Sequence, residues 1–571
     1  MSKKKKKEIK PATPSPQKIK SVAEKKPINI LRFSIIITGV FFIAALLGLL
    51  NHEMWRDEHQ AWLVARDAHS IGDVFRNMKY EGNPALWHML LFIITRFTHD
   101  PIAMQALHLL IACGFIFVFN RYAPIPVLYK VLFSFGYFPL YEYAVISRSY
   151  GLGVLLAFII CALYKCRSSK YILLGILLAL LANVSIYTLI IAAGIGGVMA
   201  MDYFFNSAKN SKTTLQLTAG IAIAVAGIIL SLYQIWPGKD NTFPVDYAHK
   251  AFDSQRWAYV GSKFLSTYFY IPKADSAFWN TTIYFDNGVT NNSQGFHELL
   301  QDDSAYKLGW VFLPIIILFI GIISFLRKPY VLLLYTGLTL ALLAIYYYTA
   351  MVHARYCGHL MIAFIICHWL AGYYPDKKYN SSLLNSFSRL GKKISLPFLA
   401  LLLAFNVVGA IIALSMDSKY KFSRSKDAAN YIKENKLDTL TIAGTTDFTV
   451  SPLASYLDTK IYYPQVGHFG SFTEWNNKRI SQLPFQQLCQ SVDSLLKDKK
   501  KILLVISSPP TITKDGINYT VVEKGTISPD IKIDLLKIFT GSIVENERYH
   551  IYLAEKMDPS QIDTKQYPPL R

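Results

Sequence analysis

Along its length the chain alternates long apolar runs with short polar connectors, and many of the runs have the length that crosses a bilayer as helix. A hydrocarbon core of ~30 Å needs about 20 apolar residues at a rise of ~1.5 Å per residue. Segments that meet or approach this length are 31–50, 102–119, 127–143, 145–164, 171–182, 186–203, 215–235, 308–325, 331–351, 358–370 and 396–414. They predict a polytopic α-helical membrane protein with about 11 transmembrane helices. The run 84–97 is apolar but short, and is expected as a partly embedded helix on the outer side. After Ser415 the period changes. Segments 425–436 and 452–457 read as helices, and 439–443, 460–463, 501–507 and 550–554 as strands. A membrane domain over 31–415 is therefore expected to precede an extracytoplasmic α/β domain over 416–571.

The connectors supply the orientation. Arg121 and Lys130; Lys165, Arg167 and Lys170; Lys209 and Lys212; Arg327 and Lys328; and Lys377, Lys378, Arg389, Lys392 and Lys393 all fall on one face if 84–97 does not cross. Basic connectors stay in the cytoplasm, so 51–83, 236–307 and 416–571 are expected outside. Residues 1–32 hold eleven Lys or Arg against Glu8 and Glu24, with Pro11, Pro14, Pro16 and Pro27 among them. Such a stretch reads as a disordered basic cytoplasmic tail over 1–30 that attracts anionic lipid headgroups. The run 31–50 is too long for a signal-peptide core and lacks a small-residue cleavage site, so it is expected as a retained anchor.

Composition narrows the class. With 52% hydrophobic and 17% charged residues, the chain has too little polar surface for an ordinary soluble fold. The net charge of +21 suggests nucleic acid, but its concentration in the tail and the connectors points to membrane lipids instead, and no nucleic-acid partner is expected. Of the six cysteines, Cys113, Cys161, Cys166, Cys357 and Cys367 lie in or beside apolar runs, and Cys489 stands alone. They form no disulfide framework or zinc spacing and read as packing residues.

Three clusters carry candidate chemistry, all on the predicted outer face. The first outer loop holds Glu53, Asp57, Glu58, Asp67, Asp73 and Glu81, with Trp55 and Trp62 around the acidic pair and Asn83 and His88 after it. A carboxylate near the hydrocarbon boundary is partly desolvated and so becomes more basic, which suits Asp57 or Glu58 to general-base work or to a divalent metal. A merely solvated acidic loop with an aromatic belt is the plainer alternative. The second cluster is Glu142, Ser147, Arg148 and Tyr150, in the turn between two spans. Ionisable groups at that depth are costly and are usually paired or functional, and a Glu142–Arg148 ion pair fixing the turn is the plain reading. The third is His353, Arg355 and Tyr356, where arginine suits bidentate phosphate contact and a snorkelling side chain is the alternative. Asn183 and Tyr187, in the remaining outer hairpin, could line the same cavity.

In their order and spacing these motifs resemble the GT-C glycosyltransferases, in particular the branch of protein O-mannosyltransferases and aminoarabinose transferases. Asp57-Glu58 resembles the acidic pair of that superfamily's first outer loop. Asn83-Pro84-Ala85-Leu86-Trp87 is similar to its His-Pro-Pro-Leu-Tyr element, Ser147-Arg148-Ser149-Tyr150 to its Ala-Arg-x-Tyr element, and Arg355-Tyr356 to its late Arg-Tyr pair. The resemblance spans 31–415 and implies a GT-C fold and inverting transfer from a polyprenyl-phosphate-linked sugar to a lipid, glycan or protein acceptor. It further implies Asp57 as base and Glu58 as acceptor-orienting or metal-binding. Arg148, Tyr150, Arg355 and Tyr356 would hold the donor phosphate, and Glu81, Asn83, His88, Glu142 and His353 would line the cavity. No cofactor is certain, though some relatives use a divalent metal. A bacterial inner membrane with a periplasmic C-terminal domain is the expected setting. A transporter or flippase of a lipid-linked or polar solute is the alternative, but it would place charges near the bilayer midplane, whereas here they gather at helix ends.

Overall fold

The computed structural model describes residues 29–206, 210–242, 254–284, 305–349, 352–508, 511–514 and 518–569. The basic tail up to residue 28, Lys209 and much of the second outer loop lie outside the described residues. In chain order the first helices are α1 (Ile30–Asn51), α2 (Arg56–Arg66), α3 (Ile71–Asn77), α4 (Leu86–Thr95), α5 (Ile102–Tyr122), α6 (Val127–Ser134), α7 (Tyr150–Tyr164) and α8 (Tyr171–Ala182). Then come α9 (Ile186–Asn206), α10 (Ser211–Ile235), α11 (Ser254–Tyr268), α12 (Ala305–Phe325), α13 (Pro329–Tyr348), α14 (Ala354–Ala371) and α15 (Ser382–Lys419). Seven of the described helices (α1, α5, α9, α10, α13, α14 and α15) are long and apolar enough to cross a membrane, and α4, α7, α8 and Phe312–Phe325 of α12 are shorter apolar helices. Ile43, Leu47, Leu110, Ile229 and Ile411 stand exposed on their outer faces. Uncovered hydrocarbon on this scale belongs in lipid. The chain is an integral membrane protein.

Packing between spans relies on close backbone approach. A side chain on Gly175 would strike the backbone of Gly220, and one on Gly220 the carbonyl of Tyr171, so α8 and α10 lie almost in backbone contact. Small residues serve membrane helices in this way because lipid tails supply no hydrophobic drive for association.

Most predicted spans match a described helix, and the exception shapes the site. The runs 127–143 and 145–164 do not form two continuous helices. Helix α6 stops at Ser134, Tyr137–Glu142 winds as a wide π-helical turn, and α7 begins only at Tyr150. Pro139 lies in this turn. Proline has no N–H to donate and clashes with the carbonyl four residues back, and a wider turn accommodates it. Tyr137, Phe138, Tyr141 and Tyr143 fill the space with buried rings. The break carries Glu142, Ser147 and Arg148 to the end of the bundle.

The C-terminal region continues with α16 (Ser425–Glu434), β1 (Thr441–Thr445), α17 (Asp447–Tyr456), β2 (Ile461–Tyr463), β3 (His468–Gly470), α18 (Phe485–Leu496) and β4 (Lys501–Ile506). It ends with β5 (Thr511–Lys514), β6 (Asn518–Val521), β7 (Lys524–Ser528), β8 (Ile531–Phe539) and β9 (Tyr549–Lys556). Seven strands form one sheet in the order β3-β2-β1-β4-β9-β8-β7, while β5 and β6 make a separate hairpin. The centre, β2-β1-β4, is parallel, and the pairs outside it are antiparallel. Ile442, Leu503 and Val505 face α16 and α17, while Ala443, Ile502 and Leu504 face α18. A strand buried on both faces reads as an unbroken apolar run, and β4, Lys-Ile-Leu-Leu-Val-Ile, is one.

This domain is clamped onto the segment between α1 and α5. Arg66 donates to the Ala454 carbonyl at 3.0 Å and pairs with Asp458 at 3.2 Å. Gln60 accepts the Thr473 N–H at 2.9 Å, and Ser471 donates to Asp67 at 2.5 Å. The Arg56 N–H donates to Glu547 at 2.9 Å.

Candidate active site

The site is built on the first turn of α2. Trp55 precedes the helix, and its N–H donates to Glu58 Oε2 at 3.1 Å, a carboxylate satisfying an orphan donor at a helix N-terminus. Asp57 lies in the same turn and points the other way. Its Oδ2 is 3.3 Å from Arg355 Nη2 and 3.4 Å from Arg148 Nη1. Arg148 also donates to the Asp57 carbonyl. Three segments far apart in sequence thus converge: the start of α2, the turn before α7 and the start of α14.

Burial is unequal within this triad. The Asp57 side chain keeps 27% of its surface, against 16% for Arg148 and 6% for Arg355. The carboxylate is therefore the group a substrate can reach. Arg355 sits among rings, its guanidinium carbon 5.3 Å from the Trp55 centroid, 5.0 Å from Tyr356 and 5.8 Å from Trp279. Its Nε and Nη1, and the indole nitrogen of Trp55, are buried without a hydrogen-bond partner, while the Trp279 indole lies beside the Glu142 carboxylate. A buried donor left unpaired costs roughly 1–3 kcal/mol, more when charged, so these three leave capacity for a further acceptor.

The remaining predicted residues divide. Tyr356 stacks on Tyr187 at 4.9 Å, Tyr150 meets Tyr356 edge-on at 6.2 Å, and His353 precedes α14 without a capping hydrogen bond, its ring 5.6 Å from Tyr356. Glu81 accepts from Gln60 at 2.7 Å, and burial pushes its carboxyl up to about 6 although Gln60 and Arg148 oppose the shift. His88 is buried, with neither ring nitrogen partnered, and lies near enough to Arg148 to sense its charge. Glu142 accepts from Tyr137 at 2.8 Å and no bond joins it to Arg148, whose carboxylate partner is Asp57, so the plain ion-pair reading of that turn does not hold. Asn83 lines a groove of about 740 Å³ with Phe75, Tyr233 and Trp236. Asn183 bonds Gln234 at 2.9 Å in the packing of α8 against α10, apart from the triad.

Glu58 has a different place from its neighbour. It is wholly buried; Oε1 accepts the Ser147 N–H at 2.6 Å, and Oε2 faces His52 Nε2 at 3.1 Å. Burial works to raise its pKa, but charge and hydrogen bonds from His52, with the two backbone donors, hold it below the usual carboxylate range. Among the described residues no group of three or more His, Cys, Asp or Glu side chains is arranged to hold a metal ion. The residues missed from the sequence are His52, Asp417, Trp279 and Gln60. The first two stand in short polar stretches just past apolar runs, Asn51-His52-Glu53 and Ser415–Lys419, where nothing local sets them apart from their neighbours.

No family model and no curated relative matches the chain. Among solved structures, the chain is similar to crystal structures of ArnT from Cupriavidus metallidurans. The structure bound to undecaprenyl phosphate has a TM-score of 0.43 and the apo structure 0.44, each with 12% identity over 91% of this chain and 98% of that one. At this distance the functional reading rests on the chain's own residues and geometry.

Proposed function

We propose that this protein is a GT-C glycosyltransferase that moves a sugar from a polyprenyl-phosphate donor to an acceptor at the outer membrane face, with inversion at the anomeric carbon. The observation that carries the reading is the Arg355 guanidinium, nine-tenths buried, ringed by aromatics and using one nitrogen on Asp57 while Nε and Nη1 stay unpartnered. A buried guanidinium with donors to spare on both sides of the nitrogen it lends to Asp57 fits the oxygens of a phosphate. Aromatic walls at the end of a membrane bundle let a lipid-borne phosphate arrive sideways from the bilayer, so no nucleotide pocket is needed.

The chemistry follows from the charges. Asp57 is the carboxylate that pairs with both Arg148 and Arg355, and a donor phosphate adds a second negative partner for the two cations. As the arginines turn toward the phosphate, the Asp57 carboxylate is released from one or both pairings and becomes available to the acceptor. Asp57 takes the proton from the acceptor hydroxyl or amine, and the acceptor atom bonds to the anomeric carbon on the face opposite the phosphate. The bond from that carbon to the phosphate oxygen breaks, and its electron pair leaves with the polyprenyl phosphate. Arg355 and Arg148 stabilise the charge that grows on this leaving group. Tyr150, Tyr356 and His353 shape the phosphate end of the cavity, and Glu81 and His88 the sugar end. The basic connectors support a cytoplasmic N-terminus and a C-terminal domain outside, as in a bacterial inner membrane. The clamp between that domain and the first outer loop puts it in position to influence which lipid, glycan or protein acceptor enters.

The test is Asp57→Asn, assayed as purified full-length protein in detergent or liposomes against a panel of polyprenyl-phosphate sugars. Transfer by the wild type and its loss in the variant are expected. Transfer at the wild-type rate without the carboxylate would overturn the assignment.

A further inference from the structure

Beneath the triad, three side chains form a closed line. His52, the residue after α1, directs Nε2 to Glu58 Oε2 at 3.1 Å and Nδ1 to Asp417 Oδ2 at 2.9 Å. All three side chains are at most 2% exposed. Tyr141 donates its hydroxyl to the same Asp417 oxygen at 3.1 Å, and Phe422 covers the imidazole at 4.5 Å between ring centres. The line joins the end of the first span, the start of α2 and the last turn of α15, and through Ser147 it reaches the turn before α7.

We infer that His52 is a positioning residue of the transferase centre: its imidazole holds Glu58 against Asp417, and Glu58, so held, fixes both Asp57 and Arg148. The inference rests on the transferase reading above. Its basis is connectivity. Glu58 is the residue after Asp57 and binds the N–H of the residue before Arg148, so one carboxylate sets the spacing between the proposed base and a proposed phosphate ligand. Glu58 therefore acts through its neighbours and does not touch substrate.

The chemistry of the line explains why a histidine stands there. The carboxylate oxygens facing the ring can take a hydrogen bond from each side, and an imidazole donates at both nitrogens only when it carries both protons. Burial opposes that charge, but Asp417 and Glu58 outweigh it and hold the ring up to about 10. Glutamine offers one donor group and asparagine is too short to span the gap, so neither reproduces a rigid link between two acids. A purely structural knot would affect how much protein folds. A positioning link affects how fast folded protein turns over.

The experiment uses the full chain with the donor and acceptor that the wild type turns over, and reads folded fraction, kcat and the donor KM separately. In His52→Gln, kcat should fall roughly 10–100-fold with donor KM within about twofold, since small misplacement of a reacting group costs on that scale. Asp417→Asn, which keeps the volume, should lower kcat in the same direction but by less, and the double variant should be no worse than His52→Gln, as expected for residues acting as a unit. Should His52→Gln fail to fold, Asp417→Asn alone decides. A kcat within about twofold of wild type in folded variant, alongside an inactive Asp57→Asn, overturns the positioning role and leaves the transferase reading standing. An active Asp57→Asn removes the transferase reading first, and this inference with it.

Discussion

Two arginine–aspartate pairs, one in each half of the molecule, differ in how completely the arginine is satisfied. In the α/β domain Arg479 grips both Asp447 oxygens with one edge of its fork, Nε at 2.7 Å and Nη2 at 2.6 Å, with neither side chain more than 3% exposed. Trp475 and Phe448 lie against the guanidinium, and Asp447 also accepts the Phe448 N–H. At the end of the membrane bundle Arg355 is buried to a similar degree and is also ringed by aromatics, yet it makes one contact to Asp57 at 3.3 Å and leaves two nitrogens unmet. Composition and surroundings are alike; the difference is completeness. A finished pair holds a fold together, because removing either partner strands a buried charge. An unfinished pair holds a place for a third group.

That contrast can be broken in order of expected effect. Arg355→Ala should lower turnover roughly 10²–10³-fold, the usual scale for losing a donor that stabilises developing negative charge, while thermal stability stays the same or rises. Arg479→Met should do the reverse, costing roughly 3–5 kcal/mol of stability through the stranded Asp447 and leaving the turnover of folded protein near wild type. Reversal of these two outcomes in paired melting and transfer assays would dissolve the distinction. A smaller effect is expected at the domain clamp. Glu547 is wholly buried, and burial pushes its carboxyl up to about 7 despite Arg56 nearby. A carboxyl that holds its proton more tightly when folded contributes stability at low pH and loses it as pH climbs from the ordinary carboxylate range through about 7. Glu547→Gln should therefore raise the melting temperature at pH 8 and match wild type near pH 5. The smallest effect is at Glu81, whose carboxyl is held up to about 6. Glu81→Gln should slow transfer a few-fold at pH 7.5 and scarcely at pH 5, where the wild-type side chain is already neutral.

How much of this was legible in the sequence depends on the scale of the signal. Spans were plain because a run such as 31–50 must be apolar throughout to lie in lipid. The α/β class was plain because β1 and β4 are short apolar runs between helical patterns, whereas β7 and β8 lack contrast. Lys524–Ser528 has one strongly apolar residue, and β8 alternates sides only over its first half. Asp57, Arg148 and Arg355 could be named because charges at span ends are rare and costly. Their separate roles could not. Glu58 looks interchangeable with Asp57 as a neighbour in sequence, and only the turn of α2 sends one carboxylate toward solvent and the other into the bundle. His52 and Asp417 are 365 residues apart, and no local pattern announces that they meet. The break at Pro139 was visible as a residue, but its consequence, a turn that delivers Ser147 to Glu58 and Arg148 to Asp57, is a property of the packed chain.

The central claim is that Arg355 waits for a lipid phosphate, and the direct measurement is an experimental map of the full-length protein with a polyprenyl phosphate bound. The account predicts phosphate density within hydrogen-bonding distance of Arg355 Nε or Nη1, with the Asp57 carboxylate turned toward the open cavity. Phosphate density elsewhere, with the Arg355–Asp57 contact unchanged, would contradict it.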